Sequence, residues 1–270
     1  MLDIEFAELT DTGHTRVHNE DFLGHVSPAS AAFIQSQGWF FCLADGMGAH
    51  AAGEVASRLA VETALEGFRK IPKGVMHVSL LPRLVQEANS AVYDAGQHGG
   101  HPDCEPGRPM GCTFVGCALR FDSAVISHVG DSRCYLLREG VLTQLTRDHT
   151  VANEQVRLGV ISAADAETND SRHVLTRSLG QEMFVAADTI TVNIIPNDIL
   201  LLASDGLHGY VEDQTIRYHL NGRNGLEAMA AALVNSANDQ GGYDNISVQL
   251  IRVCSVERMG LYRGRPYRLL

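Results

Sequence analysis

Short apolar runs rich in β-branched and aromatic residues recur at about 3–9, 38–44, 113–120, 123–129, 132–138, 141–145, 185–194, 198–203 and 246–253, and they predict strands. Two longer stretches, about 52–69 and 77–96, repeat apolar positions at three and four, as in Val55, Leu59, Ala60 and Thr63, and predict helices. A third helix is expected near 225–238, where Leu226, Met229, Ala230 and Leu233 form a stripe. Arg138-Glu139-Gly140, between two of the strands, signals a hairpin turn. Antiparallel strands joined by short turns need no crossover helix. The expected fold is therefore α+β: a four-layer αββα sandwich, two central, mostly antiparallel β-sheets flanked by helices. Residues about 150–172 are polar and Ala-rich and read as short helices in an excursion from the core, a flap positioned to act as a lid or to touch substrate.

No internal repeat, low-complexity tract or Pro/Ser-rich linker divides the chain, so residues 1–254 are expected to form a single domain, with 255–270 a short C-terminal tail. The formal net charge is −11 and no Lys/Arg-rich block is present, which argues against nucleic acid or an anionic membrane as main partner. The first residues, Met1-Leu2-Asp3-Ile4-Glu5, lack the basic start and apolar stretch of a signal peptide, and no apolar run reaches transmembrane length. Six cysteines occur, none spaced as C-x-x-C, and several sit in strand-like runs where a free thiol behaves as a small hydrophobe. A cytoplasmic, reducing location and a monomer are the expectations.

Four carboxylates change the picture. Glu20, Asp45, Asp205 and Asp244 each lie where an apolar run meets a turn. Acids aimed from strand ends toward one point would repel by roughly 4 kcal/mol per close pair at intermediate dielectric, so a positive group must sit between them. Hard divalent cations, Mg²⁺ or Mn²⁺, take such oxygen ligands. A lone Asp-Gly is most often only a turn. The run Asp45-Gly46-Met47-Gly48-Ala49-His50, followed by Gly53-Glu54 opening a helix, gives the first Asp-Gly more weight, because glycines let the backbone approach an ion and offer a carbonyl. Arg16, four residues before Glu20, carries a planar fork of donors that matches phosphate oxygens, although a loop arginine is usually a surface charge. Asp131, in Val129-Gly130-Asp131-Ser132-Arg133, reads equally as a ligand or as part of a hairpin turn with a structural Asp–Arg pair. His98-x-x-His101-x-x-Cys104 has a soft-metal spacing, but its Gly/Pro content reads as a loop. His149 and His173 flank the flap and read as structural hydrogen-bonders.

Eight motifs stand in order along the chain: Arg16-x-x-Asn19-Glu20-Asp21, Asp45-Gly46-Met47-Gly48, Gly111-Cys112-Thr113, Val129-Gly130-Asp131-Ser132-Arg133, Leu145-Thr146-Arg147-Asp148-His149, Leu175-Thr176-Arg177-Ser178-Leu179-Gly180, Ser204-Asp205-Gly206-Leu207 and Gly242-Tyr243-Asp244-Asn245-Ile246-Ser247-Val248. From about residue 10 to 253 the chain resembles the protein phosphatase 2C, or PPM, family of metal-dependent serine/threonine phosphatases, and its compact length looks like the bacterial stand-alone members. The resemblance implies two divalent ions bridged by Asp45. The Gly46 carbonyl would bind one of them, Asp205 and Asp244 would complete one shell, and Glu20 would hold the other ion, largely through water. It implies a third, weaker ion at Asp131, Arg16 on the substrate phosphate, and Asp21 orienting Arg16 or water, with Asn245 supporting the ligands from behind. Arg16, Asp45, Asp205 and Asp244 would thus carry catalysis: attack of a metal-bridging hydroxide on phosphorus with no phosphoenzyme. Leu145 to Leu175 corresponds to the substrate-touching flap. Expected partners are phosphorylated proteins and a cognate serine/threonine kinase.

Departures from that family's pattern are few. Met47 stands where many eukaryotic members carry a histidine proposed as general acid, and methionine cannot donate a proton. Ala49 replaces a common Gly and Cys112 a common Thr. A non-catalytic phosphoprotein-binding module of the same fold is the main rival reading, but degenerate members usually lose one of the acids and all four are present. Another two-metal hydrolase is the second rival. The acidic charge disfavours a nuclease, and a small-molecule phosphatase would use the same open cleft.

Overall fold

The computed structural model describes residues 1–47, 52–72, 74–98, 110–167, 169–222, 224–262 and 265–268. The first half of the chain forms β1 Asp3–Asp11, β2 Asp21–Val26, α1 Ala31–Ser36, β3 Trp39–Met47, α2 Ala52–Arg69, α3 His77–His98, β4 Gly111–Cys112, β5 Phe114–Arg120 and β6 Ser123–Val129. Next come β7 Arg133–Arg138, β8 Val141–Gln144, α4 Val151–Arg157, α5 Ala163–Glu167 and a 3-10 turn, Asp170–His173. The chain continues through β9 Asp188–Asn193, β10 Ile199–Ala203, α6 Asp205–His208, α7 Asp213–Leu220, α8 Leu226–Asp239 and β11 Ile246–Ser255, and a separate hairpin, β12 Met259–Tyr262 with β13 Arg265–Arg268, follows.

Two antiparallel sheets stack face to face, in the orders β1-β11-β10-β7-β8 and β2-β3-β5-β6-β9, with β4 added to β3. Period-two alternation sends successive side chains of each central strand to different layers. Phe40, Cys42 and Ala44 of β3 pack outward against α2 and α3 with Ala60, Leu84 and Val85. Phe41 and Leu43 turn inward to meet Val115, Cys117, Leu200 and Leu202 between the sheets. Leu201, Val248 and Leu250 face out on the other side, under Ile216 of α7 and Leu233 of α8. Three apolar layers separate four structural ones, the expected αββα sandwich. Because both faces of the central strands are covered, β3 and β10 read as continuous apolar runs rather than alternating ones.

The expected hairpin joins β7 to β8. Glu139 at φ 50° and Gly140 at φ 78° form a two-residue turn with both central residues left-handed, and Arg138 pairs with Val141. Cys42, Cys112, Cys117 and Cys134 are buried free thiols. Among the described residues no helix is long and apolar enough to cross a membrane.

Candidate active site

The inward alternation of the strands continues past the end of the apolar layer, and there it changes character. After Phe41 and Leu43, the next inward position of β3 is Asp45, which stands directly opposite Asp21 of β2 on the same face. After Leu200 and Leu202 of β10 comes Ser204, whose hydroxyl donates to Asp21 Oδ2 at 2.8 Å. The mouth of the sandwich is thus lined by acids on the rows that hold leucine deeper in. The sequence pattern ends β3 at Ala44, with Asp45 in a turn. In the structure β3 runs on to Met47, because β4 supplies a partner: Gly46 pairs with Cys112 and Met47 with Gly111.

Loops bring in the remaining acids. Asp131 lies in the link from β6 to β7, which crosses from one sheet to the other. Gly130 there has φ +100°, and a Cβ on it would stand 2.7 Å from Thr113 Cγ2. The expected alternative of an Asp131–Arg133 pair does not form. Arg133 instead makes a forked contact with Asp148, at 3.0, 3.1 and 2.7 Å, leaving Asp131 to face the cavity. Asp205 opens α6 immediately after β10.

Glu20 and Arg16 are carried by the 12–20 loop, which Asn245 staples in place. Its Oδ1 accepts from Glu20 N–H at 2.8 Å, and its Nδ2 donates to the carbonyls of Thr12 and His18 at 2.9 and 3.0 Å. Arg16 donates to Asp244 Oδ2 at 2.7 Å. Of the two roles expected for Asp21, orienting Arg16 or water, the first falls to Asp244, while Asp21 is buried and accepts from the Ser204 hydroxyl. Glu20, Gly46 and the start of α2 are packed so closely that a Cβ on Gly53 would lie 2.7 Å from Glu20 Oε1, and one on Gly46 would lie 2.1 Å from the Gly53 carbonyl.

These residues enclose one cavity of about 370 Å³, lined by Arg16, Glu20, Asp45, Gly46, Met47, Thr113, Asp131, His173, Leu175, Asp205, Tyr210, Asp244 and Asn245. Every expected site residue except Asp21 lines it, and Asp21 lies behind Asp45. Thr113, His173, Leu175 and Tyr210 join them. Thr113 is foreshadowed by its motif. Its hydroxyl accepts from Asp45 N–H at 3.0 Å and lies 2.7 Å from Ser132 Oγ. His173 and Leu175 arrive on the flap. Both flap ends are tied down beside Asp131, through a bridge between Thr150 and Leu175 and bonds from His149 N–H to Gly130 O and Thr176 N–H to His149 O. Gly48, Ala49, His50 and the His101 and Cys104 of the possible zinc spacing lie outside the described residues.

Electrostatically the site is a cluster of acids short of positive charge. Burial, then the charges of Asp21 and Asp205, hold Asp45 well above the ordinary carboxylate range. Burial and Asp205 do the same to Asp131. Asp205 is raised by burial and Asp244, and Glu20 chiefly by burial. Asp21 is pushed up to about 8, mainly by burial and against the pull of its hydroxyl partners. One carboxylate oxygen of Asp21 and one of Asp205 are buried without a hydrogen-bond partner, a state costing on the order of 1–3 kcal/mol each or more for a charged group. Hard oxygen donors, a backbone carbonyl brought close by two glycines and orphaned buried carboxylate atoms fit divalent cations of the Mg²⁺ or Mn²⁺ type.

A second group with metal-ligating atoms, His128, His149 and Asp188, has one such atom from each within 4.8 Å of the others. His128 Nε2 donates to the Arg147 carbonyl at 2.9 Å, and its Nδ1 is buried without a hydrogen-bond partner. His149 Nδ1 accepts from Gly130 N–H at 3.2 Å, and its Nε2 lies 3.3 Å from Arg177 Nη1 and 3.4 Å from Asp188. Arg177 donates to Asp188 at 2.9 Å and brings a fixed positive charge. That charge opposes a cation there, and the group lies at the underside of the flap.

The protein phosphatase 2C family model matches residues 17–250. A serine/threonine phosphatase, stp, of Listeria innocua is 35% identical over 259 residues, covering 95% of this chain and 96% of its own. The crystal structure of the Mycobacterium tuberculosis serine/threonine phosphatase PstP/Ppp superposes with a TM-score of 0.81 at 32% identity, over 94% of this chain and all of that one. A structure of the PstP catalytic domain in complex with two manganese ions gives a TM-score of 0.78 at 32% identity, with the same coverage. The sandwich agrees with that of the solved structures, and the chain belongs to the protein phosphatase 2C family of serine/threonine phosphatases.

Proposed function

We propose that this protein hydrolyses phosphoserine and phosphothreonine in proteins with divalent metal ions held in the acid-lined cavity. The observation that carries the reading is the meeting of Glu20, Asp45, Asp131, Asp205 and Asp244, from five separate segments, around one cavity that Arg16 also enters. Asp45, the Gly46 carbonyl, Asp205, Asp244 and Glu20 would hold two Mg²⁺ or Mn²⁺ ions, and Asp131 a third. Bound there, divalent ions supply Lewis acidity, lower the pKa of water and neutralise charge on phosphoryl oxygens.

The chain's own groups do the rest. Arg16, anchored to Asp244 through one of its five donors, has others left to grip phosphate oxygens and to stabilise charge as it spreads over them. It also offsets the repulsion an anionic substrate meets from so many acids. Asn245 fixes the loop that carries Arg16 and Glu20, and Ser204 and Thr113 hold Asp21 and Asp45 from behind. A cavity open to solvent admits a phosphorylated side chain on a protein segment, which a closed small-molecule pocket would not. A binding-only module has no need for the complete set of acids. A cognate serine/threonine kinase, a monomeric state and a cytoplasmic location complete the reading.

Phosphate release from a phosphothreonine peptide tests it. Activity is expected to vanish on exhaustive chelation with EDTA and to return on adding Mn²⁺. Hydrolysis that persists without metal would overturn the reading.

A further inference from the structure

Breaking the ester of phosphoserine or phosphothreonine expels an alkoxide, which needs a proton as the P–O bond breaks. Met47 lines the cavity and has none to give. On the reading above the acids are engaged with cations, and Arg16 does not deprotonate. Among the described residues, the Thr113 hydroxyl and the Asn245 amide are far too weakly acidic, and two other proton-bearing side chains remain in the lining, Tyr210 and His173. Burial and the charges of Asp244 and Asp205 raise the Tyr210 phenol, which makes it a poorer acid.

His173 closes the 3-10 turn at the end of the flap. Its ring lies over the C-terminal end of α6, with Cε1 4.0 Å from the place of a Cβ on Gly209, and α6 begins at Asp205. Arg172 Nε donates to His173 Nε2 at 2.8 Å. Because arginine can only donate, Nε2 is the acceptor and the neutral ring carries its hydrogen on Nδ1. The turn is held from both sides: Val174 N–H donates to Ser171 O, and Val151 N–H donates to Val174 O.

We propose that His173 is the proton donor to the leaving oxygen. This rests on the phosphatase reading. In the step, the P–O ester bond breaks and its electron pair stays on the serine or threonine oxygen. The proton on Nε2 of the imidazolium forms the new O–H bond, and the ring is left neutral with hydrogen on Nδ1. That product tautomer is the one in which Nε2 accepts from Arg172, as it does here. A proton taken up from water restores the imidazolium for the next turnover.

The test compares two leaving groups on the Mn²⁺-loaded full chain. A phosphothreonine peptide releases an alkoxide that requires protonation, whereas para-nitrophenyl phosphate releases an anion that is stable without it. For His173→Gln, kcat on the peptide is expected to fall about 10²-fold, and at least about tenfold further than kcat on the aryl ester. An equal fall on both substrates, a change in peptide KM alone, or no change would overturn the proposal. Tyr210→Phe run in parallel is expected to show no such selectivity, and a selective loss there would also overturn it. If the wild-type chain with Mn²⁺ hydrolyses neither substrate, the phosphatase reading itself has failed, an outcome distinct from all of these.

Discussion

A buried acid facing other acids is costly to the metal-free fold, and Asp45 is the most crowded case here, with Asp21, Asp205, Asp131 and Asp244 all acting to keep it protonated. Asp45→Asn should therefore lower turnover by two or more orders of magnitude while raising the melting temperature of the metal-free protein. Scanning calorimetry in EDTA should show a rise of a few degrees, at roughly 2–4 °C per kcal/mol for a chain of this size. A fall would mean that the acid is structurally favourable rather than held in reserve for cations. Asn245 is the opposite kind of residue, since its three side-chain bonds hold the 12–20 loop. At about 0.5–1.5 kcal/mol per bond, Asn245→Ala should cost about 2–4 kcal/mol in urea denaturation. Residues of the first kind are legible in sequence because an Asp ending an apolar run is conspicuous. His173 is not: an exposed histidine in a polar flap has no distinguishing neighbour until the fold lays it beside α6.

At the scale of elements, the apolar pattern locates the strands and helices of the core but misplaces the edges that matter most. The run Phe40–Ala44 stops where the inward face changes from packing leucine to presenting Asp45, while the strand itself continues. The pattern does not predict β2 at all, because Gly24 and His25 interrupt it. Gly24 lies against α2, where a Cβ on it would stand 2.8 Å from Leu65 Cδ1. Helix α7 is missed because only Ile216 and Leu220 of its eight residues are buried. The junction of β3 with α2 makes a sharper test. Gly53→Ala would push a methyl against the Glu20 carboxylate. The Mn²⁺ concentration for half-maximal activity is expected to rise about tenfold or more, as for other changes behind metal ligands. An unchanged value would show that Glu20 has room to move.

Over the whole molecule, the same sandwich that packs three apolar layers leaves one end of the inter-sheet layer polar, and the metal-free protein should register this in its pH dependence. Asp21, Asp45, Asp131 and Asp205 are raised in the folded state, so from roughly pH 4 upward the folded chain holds more protons than the unfolded one. Their contribution is fully present below that pH and is lost as pH rises, through about 8 for Asp21. Buried His77, His128 and His149 and half-buried His208 are lowered, His77 and His149 to about 4, and work in the opposite direction only up to the ordinary histidine range near 6.5. Above it the acids act alone. The melting temperature in EDTA should thus fall from pH 6.5 to 8, and added Mn²⁺ should raise it more at pH 8 than at pH 6.5.

Calorimetric titration of Mn²⁺ into the metal-free chain at pH 7.5 tests the convergence of these distant acids most directly. At least two ions are expected to bind per chain, with binding lost or reduced to weak sites in Asp45→Asn. Fewer than one ion per chain, or an unchanged isotherm for that variant, would contradict that convergence.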